Sequence, residues 1–181
     1  LEIETDNGVV GRAGPTTEAV AYIIASQLQP ILLGKDPLAT ELLWDQMHRE
    51  LVHGRQGEAM WAVSIVDCAL WDLKGRVFDV PVYKLIGGPT RNQVPLYASM
   101  LGYSVEDPGL VKERAREAQR EGYQAQKWFF RYGPMSGPEG LRRNVDLVKT
   151  LRETLGEDDA IMLDCWQSMD VPYVLALAER I

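Results

Sequence analysis

The chain of 181 residues is 46% hydrophobic and 25% charged, with a formal net charge of −7, so it holds enough apolar material for a sizeable core. An acidic balance without clustered Lys and Arg argues against a nucleic-acid binder, which must neutralise phosphates. Asp, Lys or Gly interrupts every apolar stretch well before the roughly 20 residues a membrane span needs, and no basic-then-apolar signal segment opens the chain.

In chain order, Leu1-Glu2-Ile3-Glu4-Thr5 alternates like a half-buried strand, Asp6-Asn7-Gly8 is a turn, and Val9-Val10-Gly11 resumes as a hairpin partner. Pro15-Thr16-Thr17-Glu18 starts a helix continued by Val20, Ile23, Ile24 and Leu28, and Gly34 and Pro37 mark its break. A second helix runs through Leu42, Leu43, Met47 and Leu51 to near Gly54. A third runs from Gly57 past Trp61, Ile65, Val66, Ala69 and Leu73 to Gly75, and its apolar residues cover enough of its circumference to predict burial on several sides, with its Met and Trp residues as core. The two cysteines, Cys68 and Cys165, lie far apart beside aspartates in apolar segments, so reduced core thiols and a cytoplasmic address are the expectation.

After Gly87-Gly88 the pattern changes. Val94–Met100, Ala125–Phe130 and Ala160–Trp166 read as buried strands, and Glu106–Glu121, Leu141–Leu155 and Val171 onward as helices. Strands alternating with helices of this length predict parallel βαβ units whose strands are covered on both faces. The alternation does not choose between an open sheet and a barrel. No Gly-x-Gly-x-x-Gly follows the first of these strands, which disfavours a dinucleotide site. The chain begins without Met, within a predicted strand, and stops at Ile181 within a predicted helix, so a piece of a longer protein is expected.

In parallel α/β folds, chemistry gathers where the strands end. Asp164 closes the apolar run Ile161-Met162-Leu163; it is a candidate metal ligand or, alternatively, a cap for the next helix. Lys127 lies among apolar neighbours, where desolvation would lower its pKa and suit proton transfer or charge stabilisation; the alternative is a partner at the surface. The loop His53-Gly54-Arg55-Gln56-Gly57 is either a solvated connector or a cover for a pocket, and neither His48 nor His53 has zinc-ligand spacing. Arg142-Arg143 and the charged run from Lys112 to Glu121 read as solvated helix faces. No Gly-x-Ser-x-Gly supports an acyl-transfer triad.

Ala62-Val63-Ser64-Ile65-Val66-Asp67-Cys68-Ala69-Leu70-Trp71-Asp72-Leu73-Lys74-Gly75-Arg76, followed by Val80-Pro81-Val82-Tyr83-Lys84-Leu85-Ile86-Gly87-Gly88, resembles the capping-to-barrel junction of the mandelate racemase and muconate lactonizing branch of the enolase superfamily. Lys127-Trp128-Phe129 through Gly133-Pro134, and Met162-Leu163-Asp164-Cys165-Trp166, resemble its acid-sugar dehydratases. The resemblance spans essentially the whole chain. It implies an α+β capping domain over residues 1–90, with its N-terminal strand missing, and the first three βα units of a TIM-type (β/α) barrel over 91–181. It further implies a Mg2+-dependent lyase acting on a small sugar acid, with Asp164 as one metal ligand, Lys127 as a catalytic cation, and His53, Arg55 and Trp166 as substrate contacts. A homo-oligomer without nucleic-acid or membrane partners would follow. Residues 1–181 alone would be inactive, the other ligands and the base being expected after Ile181. Two positions depart from the family pattern: Phe129 stands where many relatives carry a second lysine, and Trp166 where many have Asn. The first disfavours a two-base racemase, yet a racemase, epimerase, cycloisomerase or non-catalytic relative stays open.

Overall fold

A computed structural model describes residues 1–181, which form two compact units, Leu1–Asn92 and Gln93–Ile181. In the first, β1 (Glu2–Glu4) and β2 (Val10–Arg12) pair antiparallel with Ile3 opposite Gly11, as the alternation predicts. Helix α1 (Glu18–Ile23) is capped by Thr17, whose hydroxyl accepts the Val20 N–H at 3.3 Å. The predicted single helix is interrupted: a π-helical turn spans Ile24–Leu28 before α2 (Gln29–Leu32). Pro30 explains this, because it has no N–H to donate and its ring crowds the carbonyl one turn back. The widened turn lets the Gln29 N–H reach Ile24 O, five residues back.

Helices α3 (Thr40–Glu50), α4 (Glu58–Val77) and the short α5 (Val82–Leu85) complete this unit. Its core joins Val20 and Leu28 to Leu43 and Met47 of α3 and to Val63, Val66 and Leu70 of α4. The hairpin lies directly on α4. A Cβ at Gly11 would sit 2.2 Å from the Ala69 carbonyl oxygen and 2.5 Å from Leu73 Cβ. Asp72 locks the same seat, accepting the Arg12 N–H and the Arg76 guanidinium, each at 2.8 Å. The Arg76 hydrogen bond first, and the Arg12 N–H behind it, hold the Asp72 carboxyl below its ordinary pKa. A Gly11→Ala substitution is therefore expected to lift the hairpin off α4 and destabilise the full-length protein by about 1–3 kcal/mol, read as a lower denaturation midpoint.

Two expectations for α4 fail. Trp61 is 59% exposed and Cys68 is exposed rather than core. The hairpin, α1 and α3 cover only part of the helix, and the Trp61–Ser64–Cys68 side is left outside. Past α5, Gly87 and Gly88 take φ values of +126° and +80°, conformations that side chains resist, as the tight exit from this unit requires.

The second unit runs β3 (Ala98–Ser99), α6 (Pro108–Arg120), β4 (Ala125–Phe129), a 3-10 turn at Pro134–Ser136, α7 (Gly137–Leu155), β5 (Ala160–Asp164) and α8 (Val171–Ala178). The strands pair parallel in the order β3-β4-β5, with Ser99 opposite Lys127 and Phe129 opposite Asp164. Asp107 caps α6 by accepting the Gly109 N–H at 2.7 Å, and Asp170 caps α8 by accepting the Tyr173 N–H at 2.9 Å. On the helical side of the sheet Trp128 and Phe130 are buried with Val111 and Ala115 of α6 and Leu147 and Leu151 of α7.

The first predicted strand is much shorter than Val94–Met100, since only Ala98–Ser99 pair. Pro95 cannot donate to a ladder, and Val94 and Leu96 are exposed. Helices cover one face of the sheet; Lys127, Phe129 and Asp164 on the other are only half-buried, and Met162 is exposed.

Candidate functional site

Side chains alternate across a strand. Gln126 and Trp128 therefore enter the helical core, while Lys127 and Phe129 stand on the open face, joined by Met162 and Asp164 of β5 through the parallel register. The two charged candidates meet there. Lys127 Nζ lies 3.5 Å from Asp164 Oδ2, with side-chain exposures of 22% and 31%. The same ammonium sits 5.4 Å from the centre of the Tyr97 ring, close enough for a cation–π attraction. Asp164 Oδ1 accepts the Trp166 N–H at 2.9 Å, folding the chain into a tight turn in which Trp166 has φ +51°. The Trp166 ring then meets Phe129 edge-on, centroids 5.8 Å apart.

Asp164 thus does not cap α8; Asp170 does. Lys127 does not leave for a surface acid either; its acid is Asp164. The direction of its pKa shift reverses the sequence expectation. The Tyr97 side chain first, and the Asp164 charge behind it, raise the Lys127 pKa, outweighing the desolvation that lowers it. At neutral pH the group is therefore an ammonium rather than a free amine. Burial pushes the Cys165 thiol up, with the neighbouring Asp164 charge adding to it, so no thiolate nucleophile is poised beside the pair.

A magnesium ion takes hard oxygen ligands in octahedral geometry and commonly keeps several waters. Asp164 fits as one such ligand: a carboxylate at a strand end with one oxygen engaged by a backbone N–H and the other only loosely paired. No group of three or more His, Cys, Asp or Glu side chains gathers anywhere in the structure. Further ligands are needed.

His53 and Arg55 belong to the first unit. His53 is exposed, and Arg55 donates from Nε to His48 O at 2.9 Å, serving a carbonyl near the end of α3. His48 stacks on Trp44, ring centroids 4.8 Å apart. Tyr97 escaped the sequence reading. Its only signal is the two-residue step to Ser99, which places it on the Lys127 side once β3 is known to pair in parallel with β4.

A helix-and-hairpin unit followed by parallel strands, whose polar side chains share the face opposite the helices, defines a capping domain and the start of a βα barrel. The N-terminal domain model of mandelate racemase / muconate lactonizing enzyme matches residues 1–87, and the enolase C-terminal domain-like model matches residues 110–181. The chain belongs to the mandelate racemase/muconate lactonizing branch of the enolase superfamily. It is 37% identical to L-rhamnonate dehydratase of Saccharopolyspora erythraea over 98% of its own length and 43% of that protein's. The crystal structure of rhamnonate dehydratase from Gibberella zeae complexed with Mg superposes with a TM-score of 0.83 at 35% identity, over 99% of this chain and 42% of that one. A racemase from Streptomyces coelicolor A3(2) with bound magnesium superposes at 0.87 with 32% identity, over 99% of this chain and 53% of that one. The chain therefore spans about half the length of the relatives it matches.

Proposed function

We propose that the full-length protein containing this chain dehydrates a sugar acid with the help of Mg2+. The observation that carries the reading is the Lys127–Asp164 pair, 3.5 Å apart at the strand ends on the open face of a parallel sheet. In such a reaction a base removes the proton α to the carboxylate. The neighbouring hydroxyl then leaves as water, and the resulting enol tautomerises to a 2-keto-3-deoxy acid. When bound, magnesium supplies Lewis-acid stabilisation of the charge that accumulates on the substrate carboxylate. Asp164 would be one oxygen ligand to it. The Lys127 ammonium offsets charge at the same place, with Tyr97 and Asp164 holding it protonated. Trp166 and Phe129 form an aromatic wall beside the pair, the proposed contact for the carbon skeleton of the sugar acid. Phe129 leaves β4 without a second lysine, so the base is not drawn from this strand.

A Lys127→Met substitution in the full-length protein is expected to lower kcat by about 100- to 1000-fold, the loss typical of removing one preorganised charge-stabilising group. Lys127→Arg should retain part of it. Because the pKa of Lys127 is raised, its ammonium and the ion pair persist through neutral pH and are lost only as pH rises through that raised value. The kcat–pH profile should then carry no alkaline limb from Lys127 until the pH passes the ordinary lysine range. A limb near pH 8 that disappears in Lys127→Met would contradict the assignment.

The decisive test is a screen of the full-length protein with Mg2+ against a library of acid sugars, L-rhamnonate first, reading out 2-keto-3-deoxy products. Silence across the library would remove the dehydratase reading. The likeness to a magnesium-bound racemase keeps one alternative in play, and exchange of the α-proton with solvent deuterium without dehydration would select it.

A further inference from the structure

The loops that leave β4 and β5 are joined by one buried amide. Asn144, in the first half of α7, is 1% exposed, and every polar atom of its side chain is engaged. Its Oδ1 accepts the Tyr132 N–H at 3.4 Å, and its Nδ2 donates to Tyr132 O at 2.8 Å and to the Tyr173 hydroxyl oxygen at 3.0 Å. Tyr132 belongs to the loop after β4, and Tyr173 to the first turn of α8, just after the loop from β5. One side chain thus grips the backbone of one loop on both sides and anchors the element that ends the other. The fit around it is close. A Cβ at Gly140, one turn before Asn144, would lie 3.0 Å from Tyr132 Cβ, and one at Gly133 would lie 3.3 Å from Ser168 O of the second loop. The Tyr132 hydroxyl reaches onward to Glu106 Oε1 at 2.9 Å, tying in the loop after β3.

We propose that Asn144 is a positioning residue, whose amide holds the loops at the ends of β4 and β5 and through them fixes Asp164, Lys127 and Trp166. The inference rests on the functional reading of that pair given above. A buried amide is costly unless all its hydrogen bonds are made, so an apolar core would have served stability as well. What the amide adds is a unique geometry for two loops that packing alone leaves adjustable. The path to the site is short. Phe130 N–H donates to Asp164 O at 3.1 Å, so displacement of residues 130–132 is felt at the backbone of Asp164. Ser168 closes the second loop with its N–H and hydroxyl on Cys165 O, at 3.0 and 2.8 Å.

The test compares the full-length protein with Asn144→Leu, of similar volume, and Tyr173→Phe, which removes one hydroxyl. Amide hydrogen exchange should quicken by about 10-fold or more in segments 130–137 and 165–170, with the strands and the α6–α7 core unchanged. Calorimetry with Mg2+ should show affinity weakened by about 10-fold at unchanged stoichiometry, whereas a partly unfolded sample would lose stoichiometry and keep its affinity. Tyr173→Phe should shift both readouts the same way by less, and it decides alone if Asn144→Leu does not fold. Unchanged loop exchange, or faster exchange spread evenly over the whole unit, would overturn the proposal. If the parent protein neither binds Mg2+ nor turns over any sugar acid, the functional reading fails, and loop exchange still decides the role of Asn144.

Discussion

On the proposed function, Asp164→Asn in the full-length protein is expected to weaken Mg2+ binding by at least about 100-fold and reduce any sugar-acid turnover to near background. The isosteric amide keeps the turn, because its oxygen still accepts the Trp166 N–H that Asp164 Oδ1 accepts at 2.9 Å. It removes the negative charge that a hard divalent cation requires. It also leaves Lys127 without its acid, now 3.5 Å away, so a cation facing an incoming ion would be uncompensated. Melting should change little, since the carboxylate is partly solvated and such pairs contribute at most about 1 kcal/mol. Calorimetry on Asp164→Asn and Asp164→Ala beside the parent protein checks this. Equal metal affinity in all three would take Asp164 out of the site, and a collapse of the fold in Asp164→Asn would show its role to be structural.

The largest stability effect is expected at Trp128→Ala, about 3–5 kcal/mol in the second unit. Trp128 is fully buried, and its indole Nε1 donates to Gln126 Oε1 at 3.0 Å while Gln126 Nε2 donates to Ala115 O at 2.8 Å. Truncation opens a cavity between β4 and helices α6 and α7 and orphans the Gln126 oxygen in a dry core. Trp128→Phe separates the two contributions. It refills most of the volume but still leaves the Gln126 Oε1 unpaired, at about 1–3 kcal/mol. Chemical denaturation of the three proteins measures both. If Trp128→Phe proved as costly as Trp128→Ala, the hydrogen-bonded chain and not the ring volume would be holding the sheet to its helices.

The two halves of the site were unequally legible before the fold was known. Asp164 stood out as a candidate because a carboxylate closing an apolar strand is costly unless paired, capping or metal-bound. Lys127 was legible as a lysine inside such a strand, but the sign of its shift was not. Burial alone argues downward, and only the positions of Tyr97 and Asp164 turn it upward. Tyr97 itself sits in a segment whose strand is far shorter than its apolar run predicts. Asn144 looked like any polar residue on an amphipathic helix until Tyr132 and Tyr173 were placed around it.

By itself the sequence determined what depends on spacing along the chain: the hairpin and its turn, the alternation of strand and helix after Gly88, the glycines at the exit from the first unit, and the side-chain parity that puts Trp128 and Lys127 on opposite faces of β4. These follow from periods of 3.6 and 2 residues, which are local. Tertiary structure alone decided which of the α4 apolar residues found cover, which leaves Trp61 and Cys68 outside, and which face of the parallel sheet the helices α6 and α7 take. It also decided that Lys127 and Asp164, 37 positions apart in number, stand 3.5 Å from each other. Burial and electrostatics depend on what else arrives in space, and no window along the chain contains that partner.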